Sequence, residues 1–301
     1  MNPPRSLIFA FAGSDIVRRF VTAGPGCRGR ADSLVAGASA ASAVDAAERL
    51  AGEGLRSTLA HLGERTPDRA VAEQTVREYL GLLDLVYARG LSAHAEVSLT
   101  WSAVGGLIDD KLALDNIWRL AAAAEQCDTT VTFDVHGPMT DAGLRSFEEL
   151  RHTWPRVGIV LRASSPRAEA DTASLTAEGT RVRLRAGAVE TGNQHEIDLS
   201  YVRCANVLLA GDGHPMFATH DRRLIDVLTE RARWYGRKQG EYEFQQWYGV
   251  RPAYQRGLAE GGETVRIHVP YGEQWYGHFL RRLTEPSADA KIFLRALASR
   301  S

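Results

Sequence analysis

The groups in this chain best suited to chemistry are arginines set close together, with a carboxylate and an imidazole two residues apart. Arg281 and Arg282 are adjacent, and Arg183 and Arg185 alternate with Val182 and Leu184. A guanidinium is planar, stays charged and presents paired donors, which suits the two oxygens of a carboxylate or phosphate. Adjacent basic residues on a helix are ordinarily just solvated, so Arg281-Arg282 says little alone. Arg183 and Arg185 say more, because period-two alternation sets both on one face of a strand. A charge on a buried strand face is costly unless paired. It reads either as an internal ion pair, such as Arg183 with Asp134, or as a cation aimed at a ligand. Asp134-Val135-His136 resembles a metal-site fragment. No further His or carboxylate cluster at ligand spacing accompanies it, so no metal is expected.

Bulk properties narrow the classes. The 36 Lys+Arg against 37 Asp+Glu give no electrostatic reason to expect nucleic acid or an anionic membrane as partner. Hydrophobic residues at 44% and charged residues at 24% are ordinary for a globular chain. Cys27, Cys127 and Cys204 are odd in number and widely spaced, which suits buried thiols and neither a disulfide framework nor a zinc site. The apolar run Leu7-Ile8-Phe9-Ala10-Phe11-Ala12 is too short to span a bilayer and lacks a clean cleavage site after it. The expected setting is cytoplasmic, with peripheral contact at the inner face of the membrane left open.

The frame for these groups is an alternation of strands and helices. Residues 1–54 read as a helical extension, with Asp15 to Val21 and Ala40 to Ala51 as helices broken by Gly24-Pro25-Gly26. Eight β-prone runs follow: Arg56–His61, Ala93–Thr100, Thr129–Val135, Val157–Ala163, Arg181–Gly187, Pro215–His220, Tyr242–Tyr248 and Val265–Pro270. Helical patterns lie between them, among them Asp68–Ala88, Lys111–Gln126, Asp141–Thr153 and Arg222–Trp234. Alternation of this kind implies parallel pairing, and eight units predict a (β/α)8 barrel over residues 55–301, with Lys291–Ser301 as a last covering helix. An open doubly wound sheet would carry a Gly-rich first turn, and His61-Leu62-Gly63-Glu64 is not one. In such a barrel the site forms where strands end. That selects Ser98, Thr100, Asp134, His136, Arg162, Arg183, Arg185, Thr219, His220, Gln245, Gln246 and His268.

Three ordered segments resemble the proline dehydrogenase family. Thr264-Val265-Arg266-Ile267-His268-Val269-Pro270-Tyr271-Gly272-Glu273-Gln274-Trp275-Tyr276-Gly277-His278-Phe279-Leu280-Arg281-Arg282-Leu283 is similar to its last strand and the helix that follows. Tyr242-Glu243-Phe244-Gln245-Gln246-Trp247-Tyr248-Gly249-Val250-Arg251 resembles its seventh strand, and Phe217-Ala218-Thr219-His220-Asp221 its flavin-contacting sixth. The resemblance implies FAD, oxidation of L-proline or a related cyclic amino acid at the C–N bond by hydride transfer to flavin, and a quinone or other electron acceptor as partner. It assigns the substrate carboxylate to Arg281 and Arg282. It sets Arg183 beside the flavin's redox-active edge, Asp134 as the active-site aspartate, and Val135, Arg162, Ala186, Gly187, Ala188, Thr219 and His220 at the cofactor.

Substrate-facing positions depart from that pattern. Ser98 stands where the family has lysine, and Arg162 where it has glutamine. Ala186 and Val189 replace a lysine and a tyrosine around Gly187, and His268 and His278 replace tyrosines that pack on the proline ring. His136-Gly137-Pro138 stands where an acidic residue is usual. Ser98, Val189, His268, His278, Arg281 and Arg282 are therefore the candidate substrate contacts. The alternatives are a barrel acting on a modified imino or amino acid in specialised metabolism, or a flavin- or ligand-binding protein without proline turnover.

Overall fold

The strand and helix order follows from two periodicities. In the strands, large apolar residues alternate with polar ones. Leu59, Val97, Leu99, Val131, Phe133, Ile159, Leu161, Val182, Leu184, Phe217, Phe244 and Ile267 are all buried under the helices, and polar and charged residues fill the alternate positions. In the helices, apolar residues recur at three and four, as in Ala72, Val76, Tyr79, Leu83 and Val86.

The computed structural model describes residues 34–62, 67–134, 141–177, 179–187 and 194–274. Helix α1 (Ala40–Gly52) precedes β1 (Arg56–His61). Then follow α2 (Arg69–Ala88), β2 (Ala95–Thr100), α3 (Asp110–Gln126), β3 (Val131–Asp134), α4 (Asp141–Thr153) and β4 (Gly158–Arg162). The second half continues with α5 (Ala168–Ala177), β5 (Arg181–Arg185), α6 (Gln194–Ala210), β6 (His214–Ala218), α7 (Arg222–Trp234), β7 (Glu243–Trp247), α8 (Pro252–Glu260) and β8 (Val265–Tyr271). The eight strands are parallel and close into a barrel in chain order. The expected (β/α)8 barrel is therefore the observed fold. The expected helices at Asp15–Val21 and Lys291–Ser301 lie outside the described residues.

Aspartates start several helices. Asp68, Asp109 and Asp221 each accept a backbone N–H from two residues on, which satisfies a donor the first turn leaves open. The end of α6 is closed by Arg237, whose guanidinium donates to the carbonyls of Leu208, Leu209, Gly211 and Gly213.

The barrel closes at β1 and β8, and both ends of the described chain stitch that seam. Arg56 to His61 pair in register with Arg266 to Tyr271. Arg266 Nη1 donates to Ser57 O at 2.9 Å. Ala36 N donates to Pro270 O, and Gly272 N to Gly37 O, both at 2.9 Å. Helix α1 lies over the seam, burying Ala43, Val44, Ala47 and Leu50 in the common core.

Candidate active site

The lumen is lined by charge. Glu96, Arg181, Arg183, Glu243 and Arg266 share the inward positions of β2, β5, β7 and β8 and form one ion network. Burial pushes the Glu96 carboxyl up, but Arg266, Arg181 and Arg183 together hold it below its ordinary value. Burial acts the same way on Glu243, and Arg266 and His214 hold it well below. Arg266 donates to both Glu243 oxygens, at 2.7 and 3.0 Å, and Gln245 Nε2 donates to the same carboxylate at 2.6 Å. The paired ions repay each other's desolvation only because this hydrogen bonding is dense.

Arg183 sits within this network. Its Nη1 donates to Ser98 Oγ at 2.9 Å and its Nη2 to Glu96 Oε1 at 2.9 Å, with Thr58 Oγ1 at 3.4 Å. Burial depresses the Arg183 pKa, and the two glutamates oppose that shift. The internal ion pair considered for Arg183 thus forms with Glu96. Asp134 pairs instead with Arg185, two residues further along β5.

At the carboxyl ends of the strands Asp134 is a fork between two cations. Its Oδ2 accepts from Arg185 Nη1 at 3.1 Å and its Oδ1 from Arg162 Nη2 at 3.2 Å. Both guanidiniums keep about a fifth to a quarter of their surface exposed. Ala186 and Gly187 follow Arg185 directly. Gly187 has φ +85°, and a Cβ there would meet Ser164 Oγ at 2.2 Å, so only glycine fits this approach.

The end of β6 is latched to β7. Thr219 N donates to Gln245 O, Gln246 Nε2 to Thr219 O, and Trp247 N to His220 Nε2 at 3.1 Å. Burial and then Arg251 push the His220 pKa down to about 3, so the ring is neutral. Because Nε2 accepts, the proton sits on Nδ1, a buried donor with no partner among the described residues. His268 packs edge-on against Trp247, with ring centroids 4.7 Å apart.

Of the sequence candidates, Ser98, Asp134, Arg162, Arg183, Ala186, Gly187, Thr219, His220 and His268 lie on the strand ends or in the lumen. Ser98 joins Arg183, and Arg162 joins Asp134. Thr219-His220 and His268 are held separately, on β6–β7 and β8. Gln246 is hydrogen-bonded to the β6 turn and does not join the lumen network. Val135, His136, Ala188, Val189, His278, Arg281 and Arg282 lie outside the described residues. Sequence reasoning missed Glu96, although its spacing of two from Ser98 sets both on one face of β2.

No helix among the described residues is long and apolar enough to cross a membrane.

A family model described as proline dehydrogenase matches residues 188–295. Proline dehydrogenase 2 of Bacillus subtilis is 30% identical over 276 residues, covering 89% of this chain and 90% of that protein. The Deinococcus radiodurans proline dehydrogenase is 29% identical over 279 residues, covering 89% of each. Proline utilization A from Bdellovibrio bacteriovorus, a structure inactivated by N-propargylglycine, superposes with a TM-score of 0.80 at 22% identity. That superposition covers 91% of this chain and 34% of the longer one, and it speaks to the fold alone. With a relative matched along nine-tenths of its length, the chain belongs to the proline dehydrogenase family.

Proposed function

We propose that this protein is an FAD-dependent oxidoreductase that oxidises L-proline, or a closely related cyclic amino acid, at its C–N bond. The observation that carries the reading is the gathering of Arg162 and Arg185 on Asp134 at the carboxyl end of a closed barrel, with Arg183 in the lumen below them, in a chain of this family. A substrate that carries a carboxylate and a cofactor that gains negative charge both call for cations in a low-dielectric mouth.

The residues present fit a flavin. Among the described residues, His220 Nδ1–H and Arg183 Nε–H are buried donors without protein acceptors, and Gly187 leaves a cradle that a Cβ would fill. Arg162, Arg183, Ala186, Gly187, Thr219 and His220 would hold the cofactor, together with Val135 and Ala188. Bound FAD supplies the acceptor for the electron pair that leaves the substrate's ring carbon. Arg281 and Arg282 clamp the substrate carboxylate, Ser98 stands on the carboxylate side where the family has lysine, and Val189, His268 and His278 border the ring. Asp134 keeps Arg162 and Arg185 from repelling each other and fixes their height at the mouth. The buried ion network of Glu96, Arg183, Glu243 and Arg266 fills the lumen beneath the site. Residues 1–54 form an extension to the barrel of residues 55–301, and its helix α1 braces β1 and β8. The electron acceptor is a quinone or similar small oxidant, and the protein works in the cytoplasm, meeting a membrane only peripherally.

The test is the visible spectrum of the purified protein, followed by anaerobic titration with L-proline and ring analogues. Flavin absorbance that bleaches with a cyclic amino acid is expected. Protein that stays colourless after incubation with FAD, or a flavin that no ring amino acid bleaches, overturns the proposal.

A further inference from the structure

Among the described residues Glu96 is the most heavily hydrogen-bonded carboxylate in the lumen. Its Oε1 accepts from Thr58 Oγ1 at 2.9 Å, Thr132 Oγ1 at 3.2 Å and Arg183 Nη2 at 2.9 Å. Its Oε2 accepts from Arg181 Nη2 at 2.8 Å. A carboxylate has about four acceptor sites; here three donors crowd Oε1, while Arg181 and, at 3.9 Å, Arg266 face Oε2. Three strands beside its own are tied to this one group. Thr58 closes a triangle, donating to Glu96 and accepting from Arg183 at 3.4 Å. Arg183's other amino group is held by Ser98. So β2, which by family resemblance would bring a lysine to the site, brings an anion and a hydroxyl, and both grip the same arginine.

We infer that Glu96 is a positioning residue for Arg183. It draws the guanidinium down the lumen, away from the mouth, and fixes its height. Ser98 completes the grip. The inference rests on the proposed flavin site: Arg183 then meets the cofactor's edge from below, half of a tight ion pair and with its Nε–H still to give. Released from Glu96, the guanidinium would rise toward the mouth, where Asp134 already draws Arg162 and Arg185. A cation closer to the flavin favours the reduced, anionic ring.

The test uses the midpoint potential of the bound flavin in a double-mutant cycle. Glu96→Asp keeps the charge but shortens the arm, so it cannot hold Arg183 while staying on Arg181 and the threonines. The expected result is a rise on the order of tenfold in the reduced-to-oxidised ratio, about 30 mV for a two-electron couple. In an Arg183→Met background the same substitution should leave the potential unchanged. That background keeps Glu96 paired with Arg181. Ser98→Ala, which removes a grip without stranding a charge, should shift the potential the same way by less, and it serves if Glu96→Asp does not fold. An equal rise in both backgrounds overturns the inference, because Glu96 would then act by a route that does not pass through Arg183. A lowered melting temperature with an unmoved potential overturns it too, leaving Glu96 a structural role. A protein that takes up no flavin fails the proposed function and takes this inference with it. Flavin bound without the non-additivity fails the inference alone.

Discussion

Replacing Ser98 with lysine restores the residue that family resemblance sets on β2, and the structure says that this should do harm. Ser98 Oγ lies 2.9 Å from the Arg183 guanidinium, and Ser98 is buried. Glu96 already accepts four hydrogen bonds and shares its one charge among Arg181, Arg183 and Arg266. A new ammonium would therefore stand near Arg183 as an unmatched like charge. At a separation of about 4 Å and an effective dielectric of about 20, that repulsion is about 4 kcal/mol. A ceiling applies, since the lysine can give up its proton instead. From an ordinary value of about 10.4 down to about pH 7, at about 1.36 kcal/mol per unit, that costs about 4.6 kcal/mol. Partial attraction to Glu96 brings the expected loss to about 2–4 kcal/mol. The folded pKa of the new lysine lies below its unfolded value, so the unfolded chain binds more protons between the two values. Stability relative to the wild type should therefore recover as pH rises toward about 10. Denaturant melts of both proteins across that range, with initial rates on proline, measure this. A variant as stable as the wild type at neutral pH and faster on proline would refute the reasoning, and would mean that the lumen has room for a further cation.

Other substitutions probe separate parts of the site. Glu243→Gln strands Arg266, which donates twice to that carboxylate, and should cost about 3–5 kcal/mol in denaturant melts. Because the Glu243 carboxyl is held well below its ordinary 4.5, its contribution is full above that pH and is lost as pH falls further. The melting temperature of the wild type should accordingly drop more steeply below that pH than that of the Gln variant. Gly187→Ala forces a Cβ against Ser164 at positive φ, and should cost about 1–3 kcal/mol and lower the flavin bound per chain. Arg281→Ala and Arg282→Ala should each weaken a carboxylate substrate by about 2–5 kcal/mol, read as a raised KM for proline. Unchanged KM values in both would remove the clamp.

The strands were legible because their apolar residues alternate. The run Arg56–His61 matches β1 end to end, and the other seven differ from the observed strands by a residue or two at most ends. Helices with a clear stripe, such as α2 and α7, were equally plain. Helix α5, with the sequence AEADTASLTA, has no such stripe, and α8 opens at Pro252 after Arg251 in a left-handed turn, so neither was named in advance. The face shared by Arg183 and Arg185 could be read from alternation, but their partners could not. Which inward residue of β2 or β3 stands at the height of which arginine depends on the stagger of strands around the barrel. Only closure fixes that stagger. Glu96 went unnoticed for the same reason: a lone glutamate in a strand gains meaning only once Arg181, Arg183 and Arg266 converge on it.

The β1–β8 seam has a consequence for how the protein is made. Arg56 pairs with Arg266, so the first strand finds its last neighbour 210 positions later (266 − 56). During synthesis β1 leaves the ribosome with one edge unsatisfied, and that edge stays open until nearly the whole chain has followed. At about 5–20 residues per second this is a delay of roughly ten seconds or more, long for an exposed strand edge in a crowded cell. The stitches from Ala36, Gly37 and Arg266, and the packing of α1 on β8, can form only after that wait. A nascent chain halted before Val265 would hold two raw edges and no means of closing them. Such fragments should pass to chaperones or into aggregates, and the seam, formed last, should be the slow step in refolding of the full chain.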